Sequence, residues 1–175
     1  MVDENNLDAA GRLILSAQTL GEDDLAQAYV LVGLCHDTVS MERWRRLAAS
    51  GEQPTPLVWQ AIRDPRGYIH ALFAHRIEHD LVDGATLVAT DILTAGPAWR
   101  TAMETVELSI RGIAHRAGCP SIRILIHPDR EAPTPAQLRS VFLACGYKDR
   151  GPYLSRSMPQ AVSDTPPGSE LPCLS

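Results

Sequence analysis

Apolar residues change their spacing several times along the chain, and each change marks an element. A polar opening over residues 1–11 predicts a flexible N-terminus. Residues 12–19 (RLILSAQT) are a short apolar run ending before Gly21, a strand by length. Glu22, Asp23 and Asp24 then place three carboxylates where a helix dipole favours negative charge. Leu25, Ala28, Tyr29, Val32 and Cys35 follow at three- and four-residue steps, the spacing of one helical face. Ser40 can cap a second helix over 41–49, which Ser50-Gly51 ends, and the QPTP run at 53–56 breaks the helical section.

The period then shortens. Residues 57–63, 68–78 and 85–93 read as three strands, separated by DPRG at 64–67 and HDLVDG at 79–84. Connections this short imply an antiparallel meander. Trp99, Met103, Val106, Ile110, Ile113 and Ala117 return to helical spacing, with Gly96 as expected N-cap, Pro97 at the first helical position and Gly118 as terminator. Glu104, Glu107, Arg111 and Arg116 are expected off that apolar face, Glu107 meeting Arg111 one turn later. Residues 121–127 form a strand that the long helix returns to the sheet parallel to a neighbour. A last helix over 135–144 and a hairpin over 147–158, turning at Gly151-Pro152, complete a single domain of residues 12–158. Residues 159–175 read as a disordered tail.

Charge narrows the partners. A net charge of −5 and a pI near 5.6 give no basic footprint for nucleic acid. No apolar run reaches the roughly 20 residues of a membrane span, and the acidic start is unlike a secretory signal, so no membrane partner and a cytoplasmic location are expected. Cys35, Cys119, Cys145 and Cys173 lack C-x-x-C spacing, and His70, His75, His79 and His127 lack metal-ligand spacing, so no metal is expected.

The element order, β-α-α-β-β-β-α-β-α-β, resembles the GNAT family of acyl-CoA-dependent N-acyltransferases over residues 12–158. The fold class this implies is α/β (α+β), with a mixed, mostly antiparallel central sheet flanked by helices. The family signature V-x-P-x-x-(Q/R)-x-x-G-x-(G/A) falls on residues 93–103, LTAGPAWRTAM. The resemblance implies acetyl-CoA or another acyl-CoA as co-substrate, with Leu93, Thr94, Ala98, Trp99, Arg100, Thr101, Ala102 and Met103 forming its loop. Backbone N–H groups and the helix dipole would hold the pyrophosphate there. Three positions depart from the signature: Ala98 replaces Gln/Arg, and Thr101 and Met103 replace glycines. Met103 belongs by spacing to the apolar face, where it fills the core and leaves the phosphates room. In "VFLACGY", Phe142 stands where the family often has a tyrosine, and Gly146-Tyr147 stands at its Gly-Phe pair. Tyr147 and Tyr153 are the remaining phenols near that end.

A base is expected on the third meander strand. Leu87 and Ala89 are apolar there, and strand alternation puts Asp91 on their face, which makes it the candidate. A carboxylate merely ending the strand is the competing reading. The two N-terminal helices are expected to shape an acceptor site for an amine of a small molecule or protein, with Tyr29, His36, Trp44 and Trp59 as lining candidates and His127 at the cleft. A homodimer stays open. Two other readings compete: a catalytically degenerate GNAT-like domain serving as a binding or regulatory module, and an unrelated α/β domain. The family reading requires strands 85–93 and 121–127 to be neighbours that splay at their ends.

Overall fold

The computed structural model describes residues 13–49, 56–81, 84–127 and 133–158, together with Leu7. The proposed flexible start, apart from Leu7, and the proposed tail at 159–175 lie outside them, as does Cys173. The elements are β1 (Ser16–Thr19), a 3-10 turn (Glu22–Asp24), α1 (Leu25–Cys35), α2 (Met41–Ala48), β2 (Val58–Arg63), β3 (Ile69–Asp80), β4 (Gly84–Thr94), α3 (Trp99–Arg116), β5 (Ser121–Leu125), α4 (Pro135–Ala144), β6 (Lys148–Asp149) and β7 (Tyr153–Ser157). Local chemistry explains several boundaries. Ser40 accepts a hydrogen bond from the Arg43 N–H, and Thr134 with Gln137 forms a reciprocal cap ahead of Pro135. In the β2–β3 turn, the Asp64 carboxylate accepts from the N–H groups of Arg66 and Tyr68, while Gly67 takes φ +86°.

All the strands join one sheet in the order β1-β2-β3-β4-β5-β7-β6. Among the described strands only β4 and β5 run parallel; every other pair is antiparallel. The sheet is therefore mixed and mostly antiparallel, as expected. Helices α3 and α4 cover one face through Met103, Val106, Ile110, Leu138 and Phe142, packed on Phe73, Leu87, Ile122 and Ile124. Helices α1 and α2 cover the other through Ala28, Val32 and Trp44, packed on Trp59, Leu72, Ala74 and Leu93. Among the described residues no helix is long and apolar enough to cross a membrane.

Three expectations are corrected. The first strand is shorter: its ladder with β2 begins at Ser16, and Leu13 instead bridges Leu7. Helix α3 begins at Trp99 with Ala98 as N-cap, not at Gly96-Pro97. Gly96 sits at φ +83° and its carbonyl accepts from the Trp99 N–H, so Gly96-Pro97 forms a turn before the helix. Glu107 is buried, not solvent-facing. It pairs with Arg111 at 2.9 Å, as the spacing predicts, and also with Arg156 of β7 at 3.4 Å. A carboxylate four residues after Met103 lies on the same stripe, and the two guanidinium groups compensate its burial.

His75 points into the α3 side of the sheet beside Phe73, is 8% exposed, and has no hydrogen-bond partner on either ring nitrogen among the described residues. Burial holds its pKa below the ordinary 6.5. Below pH 6.5 the unfolded chain therefore binds a proton that the folded chain refuses, so this site removes stability as pH falls from 6.5 toward the lowered folded value. Denaturant unfolding at pH 7.5 and 5.5 should show a loss of up to about 1.4 kcal/mol per pH unit from this residue. His75→Leu should flatten that dependence.

Candidate functional site

The site lies where β4 and β5 part. Their parallel ladder runs from Thr86↔Ser121 to Ala89↔Ile124 and stops, although β4 continues to Thr94. Beyond that point β5 stays with its other neighbour: Leu125 pairs with Tyr153, and the Ile126 N–H donates to the Pro152 carbonyl. The strand ends therefore diverge.

A bulge in β4 accompanies the parting. Leu72 pairs with Leu93 and Ala74 with Thr90, so Asp91 and Ile92 together oppose the single residue Phe73. Asp91 sits at φ +49°, the only described non-glycine residue with positive φ. Aspartate tolerates this left-handed conformation better than most side chains, though such geometry still costs about 1–3 kcal/mol. The extra residue resets the alternation. Leu87, Ala89 and Ile92 enter the α3-side core, while Asp91 and Leu93 face the cleft beside α1 and α2. Asp91 thus does not share a face with Leu87 and Ala89, contrary to simple alternation; it reaches the cleft because of the bulge.

The Thr90 hydroxyl lies 3.1 Å from Asp91 Oδ2 and 3.2 Å from His127 Nε2. An ionised carboxylate only accepts, so Thr90 donates its one proton to Asp91. Its oxygen then accepts from His127, which requires the proton of a neutral imidazole to be on Nε2. Asp91, Thr90 and His127 form a directed chain across the divergent strands, with Thr90 buried and His127 exposed.

A cavity of about 390 Å³ opens beside this chain. Trp44, Leu47, Leu57 and Trp59 give it an apolar wall, and Asp91 and His127 line it as well. Trp44 and Trp59 meet edge to face at 4.8 Å, and the Trp44 indole N–H is held by the Leu25 carbonyl at 3.0 Å.

At the next corner, β4 turns into α3. Ala98 supplies no side-chain cap, and the first turn carries no acidic residue. The leading N–H groups of α3 lack intrahelical acceptors, and the dipole adds positive potential, a setting suited to phosphate. A side chain at Gly96 would meet nothing within 4 Å, so the approach to the turn is open.

No protein-family model matches the sequence, and no curated protein sequence matches it either. Solved structures do match in fold. The ribosomal-protein-S18-alanine N-acetyltransferase of Escherichia coli superposes with a TM-score of 0.61 at 11% identity, covering 86% of this chain and 98% of that one. The spermidine/spermine N-acetyltransferase of Vibrio cholerae gives 0.61 at 11% identity, covering 82% and 93%. A GNAT family N-acetyltransferase of E. coli, solved with CoA, gives 0.56 at 9% identity, covering 82% and 81%. The chain has the GNAT fold.

Within this GNAT frame the expected residues separate by position. His36, Trp59 and His127 line the cavity, and so does Trp44. Tyr29 does not; its hydroxyl donates to the Val39 carbonyl at 3.0 Å and braces the α1–α2 connection that borders the cavity. In the GNAT loop, Leu93, Ala102 and Met103 have their side chains buried in the core, and the Thr94 hydroxyl is bound to the His70 carbonyl. Those side chains serve packing, which leaves backbone groups to meet a ligand. Arg100 is exposed, with its guanidinium over the Trp99 ring at 5.1 Å, and Thr101 is half-buried. Phe142 is fully buried and stacks edge-on with Tyr147. The Tyr147 hydroxyl is enclosed without a partner among the described residues, and burial together with nearby Glu107 raises its pKa. The ring of Tyr153 is engaged by Arg123 at 5.0 Å.

Arg43 also lines the cavity, and residue spacing marks neither it nor Thr90. The Thr90-Asp91 dipeptide at a strand end is the available signal for Thr90; nothing in the helical pattern separates Arg43 from Arg45 or Arg46. Thr90→Val should keep the fold and release the histidine. Nitrogen chemical shifts of His127 should indicate the Nε2-protonated tautomer in the parent protein and loss of that preference in the variant.

Proposed function

We propose that the chain is an acyl-CoA-dependent N-acyltransferase that moves an acetyl group from acetyl-CoA to a primary amine. The observation that carries this reading is the divergence of β4 and β5 beside a cavity that bears Asp91 and His127. The GNAT fold agrees with it, and structures of that fold include N-acetyltransferases solved with CoA.

The N-terminus of α3, with Arg100 beside it, would hold the pyrophosphate, and the gap between β4 and β5 would admit the pantetheine arm. Acetyl-CoA supplies a thioester carbonyl whose carbon–sulfur bond breaks as the amine nitrogen bonds to carbon, the thiolate leaving as CoA. An amine is a nucleophile only when neutral, so an ammonium must first surrender a proton. Asp91 accepts that proton from the amine seated in the cavity and returns it to water through the open mouth. Thr90 fixes the carboxylate by donating to Oδ2, and His127 holds Thr90 in that orientation. Trp44 and Trp59 exclude water from one side of the acceptor. Phe142 carries no hydroxyl and that of Tyr147 is enclosed, so the departing thiolate takes its proton from solvent, while the nitrogen gives the proton displaced on acylation to water.

Calorimetric titration should detect acetyl-CoA binding by the folded protein, and a thiol-trapping assay should detect CoA release with an accepted amine. Asp91→Asn should lower kcat by about 10²-fold or more while leaving acetyl-CoA affinity within a few-fold. Absence of binding at millimolar acetyl-CoA would overturn the assignment. Binding without thiol release across a broad amine panel would instead mark a binding module.

A further inference from the structure

The acceptor cavity has an unusual charge pattern for an amine site. Its walls are mostly apolar, with Trp44, Leu47, Leu57 and Trp59 contributing side chains from α2, β2 and the segment before β2. Asp91 is the one carboxylate on its lining. A fixed cation is there too: Arg43 of α2 lines the cavity, is exposed, and makes no ion pair among the described residues. Its backbone N–H donates to the Ser40 hydroxyl, which sets the residue in the first turn of α2 at the cavity wall.

A polyamine has positive charge at both ends and would meet Arg43 with repulsion. A purely apolar amine would make no use of that guanidinium. A carboxylate satisfies it, since the planar guanidinium matches a carboxylate with two parallel N–H···O bonds. One guanidinium also matches one negative charge better than the nearly doubled charge of a phosphate monoester. The indole and leucine surfaces between the charges suit an aromatic or aliphatic body, and a cavity of this volume lies within the range of small-molecule sites.

We propose, building on the transferase reading, that the acceptor is a small amphipathic amine: a primary amine on an apolar or aromatic body that carries a carboxylate. The amine lies at Asp91, the body along Trp44 and Trp59, and the carboxylate against Arg43. Hydrophobic amino acids are one instance of this class; aminomethyl-substituted aromatic acids are another.

The test uses the full chain and needs no turnover. Binding of L-phenylalanine and of 4-(aminomethyl)benzoate is followed by the fluorescence of the cavity tryptophans and by calorimetry, with their methyl esters and spermidine as comparisons. At least one of the two carboxylates should bind tenfold or more tightly than its own ester and than spermidine. Arg43→Gln, a surface change whose folding is checked by circular dichroism, should remove that preference and leave the ester affinity unchanged. An ester equal to its acid, tighter binding of spermidine, or an unchanged preference in Arg43→Gln would overturn the inference, as would failure of both acids to bind. Acetyl-CoA binding and thiol release are measured separately. Acid binding without either would defeat the transferase reading and leave the ligand class standing, whereas acetyl-CoA binding with no acid preference would do the reverse.

Discussion

The extra residue that β4 carries at Asp91 is the constraint on which the rest of the cleft depends. A regular strand would keep its side-chain alternation, continuing the face of Leu87 and Ala89 into the α3-side core and burying a carboxylate there. The bulge turns the strand's parity over within one step. Ile92 then fills the core position and Asp91 is delivered to the cavity on the opposite face. The positive φ is the local cost, and aspartate is among the few side chains that bear it. Since the β4–β5 ladder ends just before this point, the same segment that aims the carboxylate also lies where the sheet opens.

Packing on the two faces holds that opening in place. On one side, α3 buries an almost unbroken apolar stripe against the sheet, with Glu107 as its charged exception. The ion pair of Glu107 with Arg156 ties α3 to β7, the strand that pairs with β5 on the side away from β4. On the other side, the paired tryptophans fix α2 over β2 and so define one wall of the cavity. A glycine-poor turn into α3 is compatible with this arrangement. Met103 points inward, Arg100 and Thr101 keep contact with solvent, and the backbone donors at the helix start do not depend on side-chain identity.

Much of the framework was legible in one dimension. The period-two runs found the meander, the three- and four-residue steps found α1 and α3, and the Ser40 and Pro135 signals set the starts of α2 and α4 to the residue. Asp91, His36, Trp59 and His127 stand out in the sequence by their place on strand ends and helical faces, and all four line one cavity. Tyr29 was not separable from them, because helical spacing says which residues share a face but not whether a hydroxyl is spent on a nearby carbonyl. The start of α3 is hidden for a related reason: a glycine ahead of a proline fits both an N-cap and a left-handed turn, and Gly96 takes the turn.

The sequence by itself determined the element order, the division of apolar residues between two helical layers and a sheet, and the corner at which a helix starts free of acidic side chains. These follow from local spacing and from capping and turn chemistry, which act over a few residues. Only the tertiary structure decided that β4 and β5 separate, that Asp91 changes faces, that Thr90 joins it to His127, and that Arg43 overlooks the same cavity as both. Each of these depends on residues distant in the chain: a bulge is a mismatch between two strands, and a hydrogen-bond chain across an opened sheet exists only once that sheet has formed.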